Sequence, residues 1–498
     1  INGNVGLGRA TNSAIGPAGS TALNDRTSQP LATITPPGFV LPPRSYLQNN
    51  TSTQGFFGNS NAVDPKLEIP KVEQYSFGIQ REFFGNTAVE VRYVGSRSKN
   101  LTRGVDLNQI DVVSNGFLAD FIRAQQNLAL PGATTPFCNP ATVAGCQALS
   151  IFTNGGAGSP GHLGVGTGVT LAQFISDLRN GIVADLAHRF VTTNRNNHPT
   201  LAAPNNVPFV KFYENPYIGQ IELFTNAGEY NYNSLQFEIR RRFSQGLYFQ
   251  ANYTFSKNLT NTIGTSQGLF EPFLQNQNRD LDDQRADFDQ THVFNFNGIY
   301  QLPFGKNRTF LNKGGIVDMI FGGFELSGIV QWSTGSPISF VDSRGTLNRG
   351  TRSGRQTPFS NLTNGQVQAL GGVYEANGNI YYLNPSIIDP NTGRASNGYL
   401  TSAFSGQAFF NVDPGQTGNL SRTLINGPKL FNVDLSLIKN IRFTESMRIQ
   451  LRAEAFNALN RVNFITGTQF ANINSASFGQ LTSAFAARQL QFAARFEF

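Results

Sequence analysis

Charge is scarce in this chain. Asp, Glu, Lys and Arg together make up 14% of its 498 residues, against roughly 25% in an ordinary soluble domain. There is also no uninterrupted apolar run of about 18 residues, which excludes a membrane-crossing helix. That absence leaves a membrane barrel open, because barrel strands alternate and never build such a run. Cysteine is confined to Cys138 and Cys146. A close pair in an otherwise cysteine-free chain reads as a local disulfide in an oxidising compartment, and metal ligation would want more ligands nearby than His162. The chain opens on Ile1 rather than methionine, and no charged-then-apolar leader follows. An exported barrel needs such a leader, so the beginning of the protein is expected to have been removed.

Glycine (51) and phenylalanine (43) are abundant, which favours an all-β chain with long loops over a helical enzyme. Near the end of the sequence Leu490, Phe492, Ala494, Phe496 and Phe498 alternate with Gln489, Gln491, Ala493, Arg495 and Glu497. Successive strand residues point to opposite faces, so this segment has one oily and one wet side. The pattern recurs in about nine segments, each near the length of a tilted barrel strand. The first two are Val72–Phe84 and Thr87–Gly95, joined at Gly85–Asn86. The third carries Leu235, Phe237, Ile239 and Phe243, and the fourth Leu247, Phe249, Ala251, Tyr253 and Phe255. Thr291–Leu302, a segment near Phe321–Ser333, Phe431–Leu437, Met447–Ala455 and the final stretch complete the set.

Connections alternate in length. Short turns follow Phe84, Phe243, Leu302 and Phe443, whereas long polar loops follow Gly95, Lys257, Phe340 and Asn460. That asymmetry matches short periplasmic turns and long external loops. The loop from Ser96 to about Glu229 is too long to lack structure of its own. Helical periodicity predicts one helix around Phe117–Ile122 and another over Leu171–Leu186, packing the loop on itself.

Several motifs arrive in a recognisable order: IPKVEQYSFGIQREFFGNTAVEVRYVGSRSKNL (Ile69–Leu101), DFDQTHVFNFNGIYQLPFG (Asp287–Gly305), FGGFELSGIVQWSTGSPISF (Phe321–Phe340), GNLSRTLINGPKLFNVDLSLIKNIRF (Gly418–Phe443) and LRAEAFNALNRVNF (Leu451–Phe464). From about Asp64 onward the chain resembles the C-terminal barrel portion of TonB-dependent outer-membrane receptors, in particular their Oar-like branch. The resemblance implies an active importer of the bacterial outer membrane, with a 22-stranded barrel blocked by a plug. It also implies a TonB complex that supplies energy, and a carboxypeptidase-regulatory-like domain ahead of the plug. Nine strands cannot close such a barrel without leaving open edges in lipid. The expected fold is therefore an all-β, antiparallel transmembrane β-barrel in part, with long external loops containing short helices. Residues 1–71 are read as the remnant of an external loop and 72–498 as barrel, with 96–229 a structured external loop. The resemblance further implies that Leu490, Phe492, Phe496 and Phe498 form the signal read by the barrel assembly machinery.

Other constellations carry less. Gly264–Gly268 has the G-x-S-x-G spelling but no helical period after it to make a nucleophile elbow. Asp280, Asp282, Asp283, Asp287 and Asp289 are dense in carboxylate, yet the run lacks the glycine of a calcium loop. Arg448, Arg452, Glu454, Asp434 and Lys439 are expected to face the lumen as structural charges. His162, His188 and His198 have no catalytic partners in sequence. No catalytic, cofactor or metal residue is expected. The +7 net charge is spread along the chain, locally dense only at Arg240–Arg242 and Arg344–Arg355, so no nucleic-acid partner is expected. The expected partners are the lipid bilayer, the protein's own plug, the TonB complex, the assembly machinery and an unidentified ligand. A structural or adhesive surface barrel without transport, and a soluble secreted β-sandwich or solenoid enzyme, remain as alternatives.

Overall fold

The computed structural model describes residues 59–83, 86–155, 162–166, 168–193, 210–215, 219–262, 272–350, 356–444, 447–467 and 469–498. Gly85 of the first turn, Glu445 and Ser446 of the last, Gly264–Gly268 and His198 fall outside them.

Nine long strands form one antiparallel sheet in sequence order. They are β1 (Lys71–Phe83), β2 (Thr87–Asp106), β3 (Gln220–Ser244), β4 (Leu247–Thr260), β5 (His292–Gln301), β6 (Phe324–Ser333), β7 (Leu430–Arg442), β8 (Arg448–Phe456) and β9 (Gln489–Glu497). Each pairs with the next, as hairpin connections dictate. The sheet is open: among the described residues β1 pairs only with β2 and β9 only with β8.

Cross-strand register shows what the alternation builds. Ile79, Val91, Phe237, Tyr253, Phe294, Trp332 and Phe431 stand opposite one another in one unbroken row across seven strands. One residue along each strand, Gln80, Glu90, Glu238, Asn252, Asn295, Gln331 and Asn432 form a parallel row on the other face. Among the described residues the oily face is not packed against a second sheet. Phe77 is 71% exposed and Phe492 77% exposed, which in water would be untenable over so many strands. Hydrocarbon is the environment that this face fits.

Two strands run well past the bilayer. β2 has 20 residues and β3 has 25, so the long loop begins near Leu107 and not at Ser96, and ends at Gln220 and not at Glu229. A further short strand, Asn59–Val63, lies parallel to Gln220–Phe224 within the segment read as loop. Sequence alternation misses these extensions for a physical reason. Above the lipid both faces meet water or polar loops, so the two-residue hydropathy signal fades while backbone pairing continues.

Apolar cores occur in the loops. In the first, helices α1 (Phe117–Leu128), α2 (Leu171–Asn180) and α3 (Val183–Thr193) bury Phe117, Phe121, Phe174, Leu178, Leu186 and Phe190 together with Phe152 and Phe212. The single helix predicted over Leu171–Leu186 is two, divided by Gly181 at φ 66°. Thr170 and Gln173 close a reciprocal capping box at the start of α2. The second core joins the β6–β7 loop to the β8–β9 loop: Phe340, Leu383, Ile387 and Phe409 pack with Phe470, Ile473, Phe478 and Leu481. Between β5 and β6 lies the short helix α4 (Ile316–Phe321), so Phe321, expected to open the strand, instead ends a helix and the strand begins at Phe324.

Candidate functional site: a polar wall beneath an external cap

The wet face of the sheet is a continuous polar surface. Its row of Gln80, Glu90, Glu238, Asn252, Asn295, Gln331 and Asn432 offers mostly side-chain amides, each able to donate and accept. Glu90 and Glu238 stand directly opposite each other, an arrangement that costs stability unless relieved. Relief comes from Arg92, 3.6 Å from Glu90, and from Gln250, whose Nε2 donates to Glu238 at 3.2 Å. A shallow polar depression lies here, lined by Glu90, Arg92, Gln236, Glu238, Asn252 and Thr254.

Further round the wall Arg448 pairs with Glu497, Arg452 lies 3.6 Å from Glu454, and Asp434 accepts from the Asn457 amide at 2.8 Å. Arg448, Arg452, Glu454 and Asp434 share the polar face, as expected. Lys439 does not. It stands opposite Phe324 and Leu451, in phase with Leu435 and Leu437 on the oily face. Its charge alone suggests the lumen, but the two-residue count from Leu437 puts it on the oily face. Its ammonium donates to the Ile320 carbonyl at 3.1 Å and to the Gly322 carbonyl, so the end of α4 solvates it outside the barrel.

Above the wall the ends of the strands are roofed. Ser256, Asn258 and Thr260 are buried, whereas their neighbours Phe255, Lys257 and Leu259 are exposed. The five aspartates are divided here by different partners. Asp282 is buried between Arg103 at 3.1 Å and Arg422 at 3.0 Å, and the Arg103 guanidinium lies 3.5 Å from the Phe273 ring centroid. Asp289 is buried against Arg285 at 2.7 Å and accepts from the Asn258 backbone at 3.0 Å. Asp283 has its pKa raised by burial and by the carboxylates of Asp280 and Asp282. Among the described residues no group of three His, Cys, Asp or Glu side chains is arranged to hold a metal ion. His188 instead shares a 2.7 Å hydrogen bond with the Tyr213 hydroxyl.

The two loop cores meet at one seam. The Ala184 amide donates to the Gly345 carbonyl at 2.9 Å, and the Gly350 amide donates to Asp185 at 3.1 Å. Arg344 pairs with Asp342 and also reaches the Asn180 and Val412 carbonyls. Inside the helical part Asp120 accepts backbone N–H groups from Ser150, Ile151 and Phe152 at 2.8–3.1 Å and the Arg123 guanidinium at 2.7 Å. Burial alone would raise its pKa, but these donors outweigh it and hold the carboxyl low. Asp177 is different. Burial, with Asp185 nearby, pushes it up to about 6 although Arg189 opposes the shift.

The Cys138 and Cys146 sulfurs lie at bonding distance, with Cα atoms 6.1 Å apart. Asn127 braces the same loop from within, donating to the carbonyls of Pro136 and Gln147 and accepting from the Gln147 amide at 2.8 Å. Nothing in its neighbours marks it in sequence. On the oily face of β9, Leu490, Phe492 and Phe496 stand opposite Ala455, Ala453 and Ile449, and Phe498 is 93% exposed.

Solved structures of other proteins align with parts of this one. The chain aligns with the outer membrane transporter YddB from Escherichia coli at 8% identity, over 90% of this chain and 35% of that one, with TM-score 0.34. The ferripyoverdine receptor of the outer membrane of Pseudomonas aeruginosa aligns at 10% identity, over 87% and 28%, with TM-score 0.32. The copper transporter OprC gives 7%, 87%, 32% and 0.28. The chain thus spans about a third of the length of these proteins. No curated protein matches it. A family model described as the outer membrane beta barrel domain matches residues 2–491. With nearly the whole chain inside that match, and with an oily face that fits only lipid, this protein belongs to the bacterial outer-membrane β-barrel family.

Proposed function

We propose that this chain is the C-terminal barrel portion of an Oar-like, TonB-dependent importer, and that its capped loops select a polar solute for passage along the amide-lined wall. The observation that carries the reading is the unbroken polar row from Gln80 to Asn432 beneath a folded roof. A solute leaving water needs its hydrogen bonds replaced along the way, and alternating donors and acceptors do this without trapping it. The open edges of β1 and β9 support a larger barrel completed by further strands. In this reading a plug and the TonB complex gate the lumen. The side chains of Leu490, Phe492, Phe496 and Phe498 serve as the signal for the barrel assembly machinery, and the chemistry is transport and not catalysis.

Cells producing the whole protein should deplete one class of solute from a defined medium, measured by mass spectrometry, and a protonophore should stop the depletion. An unchanged medium, with cells still binding surfaces through the loops, would favour the adhesive alternative.

A further inference from the structure

The described turn between β3 and β4 is tight, but the β5–β6 connection runs from Leu302 to Gly323 and contains α4. None of the residues of α4 is buried. Ile316 is 72% exposed, and Met319, Ile320 and Phe321 are exposed beside Phe310 and Leu311. No further barrel strand can cover this patch, because β5 and β6 already have both neighbours in the sheet. Its side of the sheet is fixed by Lys439. That residue is in phase with Leu435 and Leu437, lies 4.4 Å from the Phe324 ring centroid, and donates to the carbonyls that end α4. The helix therefore lies on the oily side, at the short-turn rim. The turn is also basic: Lys306, Arg308 and Lys313 outnumber Asp318, whose carboxylate is occupied by the Lys306 backbone amide at 2.6 Å.

We propose that this turn is an interfacial anchor, with α4 sunk in the headgroup layer and Lys306 and Lys313 meeting the phosphates of anionic phospholipid. Exposed aliphatic and aromatic side chains flanked by ammonium groups are what a lipid–water boundary takes up. The patch also continues the lipid-facing band from Tyr300 and Leu326 without a break in face. Lys439 would otherwise be a bare cation against hydrocarbon. By binding the end of α4 it holds the helix down on the rim and satisfies its last carbonyls. The inference rests on the barrel reading, and its test separates the two.

The chain has one tryptophan, Trp332. In the whole protein, with Trp332 and every tryptophan outside this chain replaced by phenylalanine, Ile320→Trp folded in phospholipid vesicles puts the reporter on α4; Phe321→Trp provides a second position. Lipid brominated near the glycerol end should quench this fluorescence about twofold more than lipid brominated near the chain methyl, and aqueous acrylamide should quench little. Replacing part of a zwitterionic lipid by phosphatidylglycerol should strengthen the shallow quenching, and Lys306→Glu with Lys313→Glu should remove that gain. Full acrylamide access with no bromolipid quenching overturns the anchor, whether water or a periplasmic protein is the natural neighbour. Indifference to phosphatidylglycerol overturns the anionic headgroup as occupant. A heat-modifiable gel band monitors the barrel itself; its absence in the unsubstituted whole protein overturns the barrel and the anchor together.

Discussion

Asp120 and Asp177 are both buried carboxylates in the external cap, and their surroundings drive them in opposite directions. Asp120 has three backbone donors and an arginine. Asp120→Ala strands those donors in the core, so it should cost about 3 kcal/mol, seen as faster proteolysis of 107–219 while the barrel persists. Asp177 has its pKa raised to about 6. Between the ordinary aspartate value and about 6, the folded cap binds more protons than the unfolded chain. Its stabilising contribution is therefore complete at the acid end and declines as pH rises through that window, by on the order of 3 kcal/mol. Hydrogen exchange of α2 and α3 should show protection falling from pH 4.5 to pH 7, and Asp177→Asn should flatten the slope. A slope unchanged by that substitution would assign the titration elsewhere.

At the level of elements, what could be read from the sequence divides by solvent. The nine strands are legible because lipid on one side and water on the other impose a strict two-residue rhythm. α1 to α3 are legible because a helix buried on one side repeats every 3.6 residues. The second loop core is not: Phe340, Phe409, Ile473 and Phe478 come from irregular backbone, which has no period to detect. The passage wall was half visible, since Gln and Asn opposite the phenylalanines could be counted, but their alignment into one row depends on register, which the sequence does not state. Motif glycines make a similar point. Gly335 of STGSP and Gly427 of NGP lie back to back, and a Cβ on Gly335 would fall 2.3 Å from the Gly427 carbonyl group. Backbone cannot yield as a side chain can, so Gly335→Ala should cost about 3 kcal/mol and lower the yield of heat-modifiable protein. The Cys138–Cys146 link closes a short loop that Asn127 already braces. Serine at both positions should destabilise the helical cap by no more than about 2.5 kcal/mol, read as a lowered denaturant midpoint for cap exchange under non-reducing conditions.

For the molecule as a whole, the decisive property is that, among the described residues, its oily sheet face has no protein cover apart from α4 at the rim. Extraction should require detergent, and the folded protein should migrate differently on a gel before and after boiling. Recovery of folded protein in plain buffer would contradict the barrel. The external parts obey another constraint. The second core is shared: the Val341 and Ile473 amides donate to the carbonyls of Ala471 and Val341, and the Tyr382 amide donates to that of Gly479, so two loops separated by β7 and β8 form one folded body. A chimera that borrows only one of them from a relative inherits half a hydrophobic interior and loses its mate. Recognition at the cell surface should therefore be exchangeable between relatives only when both segments are grafted together.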